Sequence, residues 1–169
     1  LTFQSLVSRM RVGSAKIMAT MTTGSLYPPI EELYEKIAYA ESQGFQVAIH
    51  GVEAEVNLQI SEAITKCSNG VFNKFRHRIE HCSECPPNLG EKLSDNGIVV
   101  VTQPAFIYYM GDRYRQTVEE YKQDWLYNVR SLHSRGIVVG MGSDSPVVPM
   151  NPLIGVYAAV TRLSSDGYV

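Results

Sequence analysis

Gly136-Ile-Val-Val-Gly-Met-Gly142 follows a helical stretch and runs straight into Ser143-Asp144. The same arrangement stands twice upstream, in Gly44-Phe-Gln-Val-Ala-Ile-His50 and in Gly97-Ile-Val-Val-Val-Thr-Gln103. A glycine after a helix is the usual left-handed cap, because only glycine takes that backbone without a Cβ clash. A Val- and Ile-rich run without polar alternation suits a strand buried on both faces, as in a parallel sheet. Two shorter runs, Ala15 to Ala19 and Arg78 to His81, read as further strands.

Helices fill the spaces between. Pro28-Pro29 opens one, with Ile30, Leu33, Ile37 and Ala40 at helical spacing. Val56, Ile60, Ala63, Ile64 and Cys67 form a second stripe, and Leu89 with Leu93 marks a short third. Tyr121, Trp125, Val129 and Leu132 predict a fourth, and Asn151-Pro152 caps a fifth that carries Leu153, Val156, Tyr157 and Val160. Pro104 to Gln123, rich in tyrosine and phenylalanine, reads as a long loop over the site, a lid or substrate wall, or simply rings packed on the rim. Strands alternating with helices mean α/β. The 169 residues give about 34 per strand–helix unit, and eight such units would need roughly 270. The chain therefore matches either an open five-stranded sheet or about five-eighths of a closed barrel. No phosphate-binding glycine loop follows a strand, which removes the main reason to choose a nucleotide-binding sheet.

Composition excludes several classes. With 44% hydrophobic and 19% charged residues the chain can bury a core. A formal charge of −2 and no basic run give no electrostatic case for nucleic acid. No apolar run reaches the ~18 residues of a membrane span, and Leu1 to Met10 carries no signal-type segment. Three cysteines do not make a disulfide scaffold, so a reducing, cytoplasmic location is expected.

Polar residues collect where the strands stop: His50, Glu80-His81, Gln103 and Ser143-Asp144. Parallel α/β folds bind ligands at the carboxyl ends of their strands. One such histidine would ordinarily be a hydrogen-bonded core residue. Two histidines and an aspartate on three different strands point to a divalent metal such as zinc. Lys16, on the first strand, reads by itself as a lysine reaching for solvent. Cys82 and Cys85 form a CxxC, open to a redox reading or to one of neutral thiols beside the site.

Lys16-Ile-Met, Gly-Phe-Gln-Val-Ala-Ile-His50, Arg76-His-Arg-Ile-Glu-His81, Val101-Thr-Gln-Pro104, Gly142-Ser-Asp-Ser-Pro-Val147 and Ala158-Ala-Val-Thr-Arg162 follow one another in that order. Together they resemble the amidohydrolase superfamily, in particular its amidohydrolase family 3 branch, from about Ser14 to Arg162. The resemblance implies a partial TIM (β/α)₈ barrel, about barrel units four to eight, as one domain over residues 1–169. Strands one to three and the small β-sandwich would be missing. It implies that Lys16 is carboxylated and shared between two metals, that His50 and His81 complete the more buried metal, and that Asp144 binds the other and acts as general base. Gln103 and Tyr108 are expected at the substrate. The second metal of the family also uses a His-x-His, and the chain's four histidines, at 50, 77, 81 and 133, contain none. At most one zinc is therefore expected here. The implied activity is hydrolysis of carbon–nitrogen bonds in amides or cyclic amides of small molecules. The alternatives are an inactive metal-binding or assembly fragment of the same fold and, less favoured, a CxxC redox protein. Self-association through exposed barrel edges is expected.

Overall fold

The computed structural model describes residues 13–68 and 73–167; Leu1 to Met10, read above as lacking a signal-type segment, lie outside them. Five parallel strands, β1 (Ala15–Met18), β4 (Val47–Gly51), β5 (Arg78–His81), β6 (Val99–Thr102) and β7 (Val139–Met141), pair in that order. Each neighbour in space is the next parallel strand in sequence. A doubly wound sheet reverses its order at a switch point; this one never does, which makes it the arc of a barrel.

One face of the arc carries the core. Ile17, Val47, Ile49, Ile79 and Val100 point into a single buried cluster with residues of four helices. Leu33 and Ile37 come from α1 (Ile30–Ser42), and Val56, Ile60 and Ile64 from α2 (Ala54–Cys67). Leu89 and Leu93 come from α3 (Pro87–Asp95), and Leu132 from α6 (Val129–Ser134). The periodic stripes seen in the sequence are these contacts. Gly44, Gly97 and Gly136, which end the helices before β4, β6 and β7, have φ of 77°, 63° and 75°, as the left-handed cap requires.

The opposite face differs from the expectation of strands buried on both sides. Met18 and Val138 there are 55% and 57% exposed. A closed barrel fills this inner face with side chains from the strands across it, and a five-stranded arc leaves it open. Its amino-terminal end is polar. The Arg78 guanidinium donates to Glu80 Oε1 at 2.6 Å and to Ser14 Oγ at 2.6 Å, and also to Gln46.

Three local expectations need correction. The segment from Pro104 to Gln123 is not a loop: it forms α4 (Ala105–Thr117) and the short α5 (Glu120–Gln123). Ala105, Phe106, Ile107 and Gly111 supply a buried helical stripe that the density of tyrosines conceals. The helix expected through Tyr121 and Leu132 is two pieces, because the Asn128 side chain accepts from Ser131 N–H at 2.9 Å and starts α6 afresh. An antiparallel hairpin, β2 (Thr20–Thr22) with β3 (Ser25–Tyr27), was not anticipated. Thr23 and Gly24 turn it with φ of 50° and 80°, the left-handed pair that matches strand twist in a two-residue turn. The last helix, α7 (Pro152–Thr161), packs on α4 and begins at the expected Asn151 cap, whose side chain accepts from Leu153 N–H at 3.1 Å.

His77 ties the core together. It is fully buried, its Nδ1 accepts from Val47 N–H at 3.0 Å, and its Nε2–H donates to Glu41 Oε1 at 2.8 Å. Asn73 brackets its backbone on both sides, at 2.8 Å to N–H and 2.8 Å to the carbonyl. His77→Ala would leave a buried amide and a carboxylate without partners and open a cavity. A loss of about 2–4 kcal/mol in urea unfolding is expected; a loss below about 1 kcal/mol would show that His77 does not hold this junction.

Candidate metal centre

The site grows from the register of β4 and β5, which places Gly51 opposite His81 and His50 opposite Glu80. The ladder continues past the strand ends, with Cys82 N–H donating to Gly51 O at 2.9 Å and Glu84 N–H to Val52 O at 3.0 Å. The backbone turns left-handed at His81, φ 73°, and the imidazoles of His50 and His81 meet edge to face, with ring centroids 4.5 Å apart and planes at 70°.

Gln103, at the end of β6, completes this group. His81 Nδ1–H donates to Gln103 Oε1 at 2.7 Å, and both residues are buried. An amide oxygen can only accept, so Nδ1 carries the proton of that bond and Nε2 is the nitrogen left to face an ion. Metal-binding histidines are usually held this way, by an acceptor on the far nitrogen. Gln103, expected at the substrate, thus has a structural partner in His81.

His50 is pushed below the ordinary histidine value of 6.5 chiefly by burial, then by His81 and by the positive charge of Lys16, while Asp144 opposes the shift. Lys16 and Asp144 therefore lie close enough for their charges to reach His50, although both side chains are exposed. Asp144 follows β7 in a left-handed conformation, φ 55°, and its carbonyl accepts from Val147 N–H at 2.9 Å. His81 and Cys82 are also left-handed, at φ 73° and 46°. Such backbone in non-glycine residues is costly and collects at functional sites.

Among the described residues, no three His, Cys, Asp or Glu side chains come together closely enough to hold an ion. His50 and His81 are brought together; Asp144 does not join them as a third ligand, and Lys16 stands nearby on β1. The donors present nonetheless fit a borderline divalent ion: two imidazoles, one with its free nitrogen set by Gln103 and the other biased to its neutral form. Glu53 Oε2, after β4, and Thr102 Oγ1, on β6, are buried without a hydrogen-bond partner among the described residues, which marks the strand ends as a place where polar atoms await a ligand or water.

Tyr108 lies on α4, and its ring neighbours are Tyr109 and Tyr157 of α7, at 5.0 and 5.9 Å, so it serves the contact between the two helices. Cys82 and Cys85 are free thiols buried in the main core cluster. A hydrogen bond with Cys85 and burial push the Cys82 thiol well up, and the same hydrogen bond holds the Cys85 thiol down. Sequence reasoning missed Tyr127. It is buried, left-handed at φ 46°, and donates its N–H to Ser83 O at 2.9 Å, two residues past His81. Burial, and then the neighbouring Tyr114, keep its phenol protonated.

The imidazoles stand at the carboxyl ends of adjacent strands of a barrel arc, the end at which barrel enzymes carry their sites. The chain belongs to the amidohydrolase family, whose sequence profile matches residues 4–168. It is similar to the protein LONG AFTER FAR-RED 3 of Arabidopsis thaliana, 29% identical over 139 residues, which cover 79% of this chain and 23% of that protein. It is also similar to the N-substituted formamide deformylase of Arthrobacter pascens, 26% identical over 140 residues, 80% of this chain and 25% of that enzyme. Among solved structures, a metal-dependent hydrolase of Pyrococcus horikoshii superposes with a TM-score of 0.78 at 24% identity, covering 92% of this chain and 34% of that one. The chain thus spans about a quarter of the length of these curated relatives.

The direction of the His50 shift makes a measurable prediction. In the metal-free protein, His50 should titrate by NMR below 6.5, and Asp144→Asn should lower its midpoint further by removing the opposing charge. Because the folded value lies below the unfolded one, His50 destabilises the fold as pH drops below about 6.5 and contributes nothing well above it. A midpoint at or above 6.5, or a rise on Asp144→Asn, would contradict this electrostatic picture.

Proposed function

We propose that this chain is the zinc-binding part of a hydrolase that cleaves carbon–nitrogen bonds in non-peptide amides or cyclic amides of small molecules. The observation that supports it most is the histidine pair at the ends of β4 and β5, with the His81 tautomer set by Gln103. His50, His81 and a carboxylated Lys16 would hold the ion. A divalent ion there would acidify a water molecule and polarise the scissile carbonyl. Gln103 keeps His81 in its ligating tautomer. Asp144 takes up the proton of the attacking water at its carboxylate and delivers it to the leaving nitrogen. Membership of the amidohydrolase family and the relative that deformylates N-substituted formamides support this substrate class.

A second reading, that the chain binds metal without turning substrate over by itself, is favoured by one feature. Lys16 and Asp144 stand exposed on an open inner face, so neither water exclusion nor a full second set of ligands is provided.

Zinc stoichiometry tests the ligand assignment. Supplied with excess zinc and bicarbonate, the purified chain should retain at most one zinc by elemental analysis and lose it on His50→Ala or His81→Ala. Two tightly held zincs, or zinc kept by both variants, would contradict it. In a full-length protein containing these strands, Asp144→Asn should cost about 10²–10⁴-fold in turnover, and near-normal activity would remove Asp144 from the mechanism.

The partner proposed is a second copy of the chain. Between Ile137 and Thr161 the only charged residue is Asp144, and Met150, Leu153 and Val160 are 75%, 72% and 80% exposed. An apolar surface of this kind associates in water. Light scattering at micromolar concentration should show species larger than the monomer; a monodisperse monomer would contradict it.

A further inference from the structure

Arg162 closes the Ala-Ala-Val-Thr-Arg run, and nothing in the proposed chemistry uses it. It caps α7 in a left-handed conformation, φ 58°, with its side chain half-buried. Among the described residues no carboxylate is hydrogen-bonded to its guanidinium, though the charge of Asp124 reaches it; it donates to two main-chain carbonyls, Leu126 O through Nη1 at 2.9 Å and Gln123 O through Nη2 at 3.2 Å. Gln123 is the last residue of α5, and Leu126 lies in the turn between α5 and α6. A planar guanidinium suits such a pair of acceptors, whereas an ammonium offers a point charge without the fork.

The held segment leads directly to the site. Residues 125–127 lie antiparallel against 83–85: Cys85 N–H donates to Trp125 O at 3.4 Å, Tyr127 N–H donates to Ser83 O at 2.9 Å, and Glu84 and Leu126 form a β-bridge. The Tyr127 ring is fixed edge-on against Phe106 at 5.5 Å, and its hydroxyl lies 3.2 Å from that of Tyr114. Contacts thus run without a break from α7, through Arg162, to the turn at 123–126, to Tyr127, and to the loop that follows His81. Asp144 lies in the loop that leads into the other end of α7. Left-handed non-glycine backbone marks the same path, at His81, Cys82, Tyr127, Asp144 and Arg162.

We propose that Arg162 is a positioning residue: through the carbonyls of Gln123 and Leu126 and the backbone of Tyr127, it fixes the loop carrying His81 relative to α7 and the Asp144 loop. Its role as a brace stands on hydrogen bonds alone. Its effect on metal binding rests on the function proposed above.

Arg162→Met, which keeps length and removes the donors, and Arg162→Lys test this in the chain itself. Amide hydrogen exchange is read at Tyr127 and Cys85, with Ile49 and Val100 in the sheet as references, and zinc ion is titrated in parallel. Arg162→Met should speed exchange at Tyr127 and Cys85 by about tenfold or more while the sheet amides keep their wild-type rates. It should also weaken zinc binding by about tenfold. Arg162→Lys, able to reach one carbonyl, should recover part of both. Unchanged exchange at Tyr127, or an equal loss of protection at Ile49 and Val100, would overturn the proposal, because the first means no brace and the second a general structural role. If Arg162→Met does not fold, the same selective or uniform pattern in Arg162→Lys decides. If the wild-type chain takes up no zinc, the proposed function fails, and the exchange data alone decide the brace.

Discussion

The register of β4 against β5 is the constraint on which the site depends. It sets Gly51 opposite His81 and His50 opposite Glu80, and with the left-handed backbone at His81, φ 73°, the two imidazoles meet edge to face at 4.5 Å. A slip of one residue would turn every side chain of a strand to the other face. Ile49 and Ile79 prevent that slip, since both are fully buried in the helix-facing core. The packing that stabilises the arc therefore also sets the level at which the two histidines stand along their strands. Gly51 contributes to the same fit, because a Cβ there would stand 2.2 Å from Asn57 Oδ1 and 2.6 Å from Ile60 Cδ1. Only glycine lets α2 approach the end of β4 so closely.

Around this fixed pair the site is held by loops under conformational strain. His81, Cys82 and Asp144 adopt left-handed backbone without being glycine; main-chain hydrogen bonds restrain Cys82 and Asp144, and the ring bond to Gln103 restrains His81. A rigid scaffold with strained, well-anchored strand-end loops is what preorganised ligands require. The open inner face is the counterpart: a whole barrel fills it with side chains from the strands across it, and here Met18 and Val138 stand exposed on it.

Much of the fold was legible because glycine caps and apolar runs alternate so regularly. Gly44, Gly97 and Gly136 mark strand starts through a backbone requirement that other residues meet poorly, and the helical stripes through Leu33, Ile60 and Leu93 reflect burial directly. His50 and His81 were legible as a pair for the same reason, since each ends a recognisable strand. The segment after β6 was not: its tyrosines suggested a lid, whereas Ala105, Phe106 and Ile107 bury one side of a helix. Gln103 was legible as a strand-end polar residue, but its hydrogen bond to His81 spans 22 residues, and nothing local announces it. Tyr127 and Arg162 carried no spacing signal either, because their roles depend on main-chain carbonyls and amides brought together only by the tertiary fold.

The central claim is that His50 and His81, and not the nearby thiols, form the metal-binding core of this chain. X-ray absorption spectroscopy of the zinc-loaded protein tests it most directly. The account predicts a first shell of nitrogen and oxygen at about 2.0–2.1 Å, with the multiple-scattering pattern of two imidazoles. A shell containing sulfur at about 2.3 Å would place the ion on Cys82 and Cys85 and contradict it.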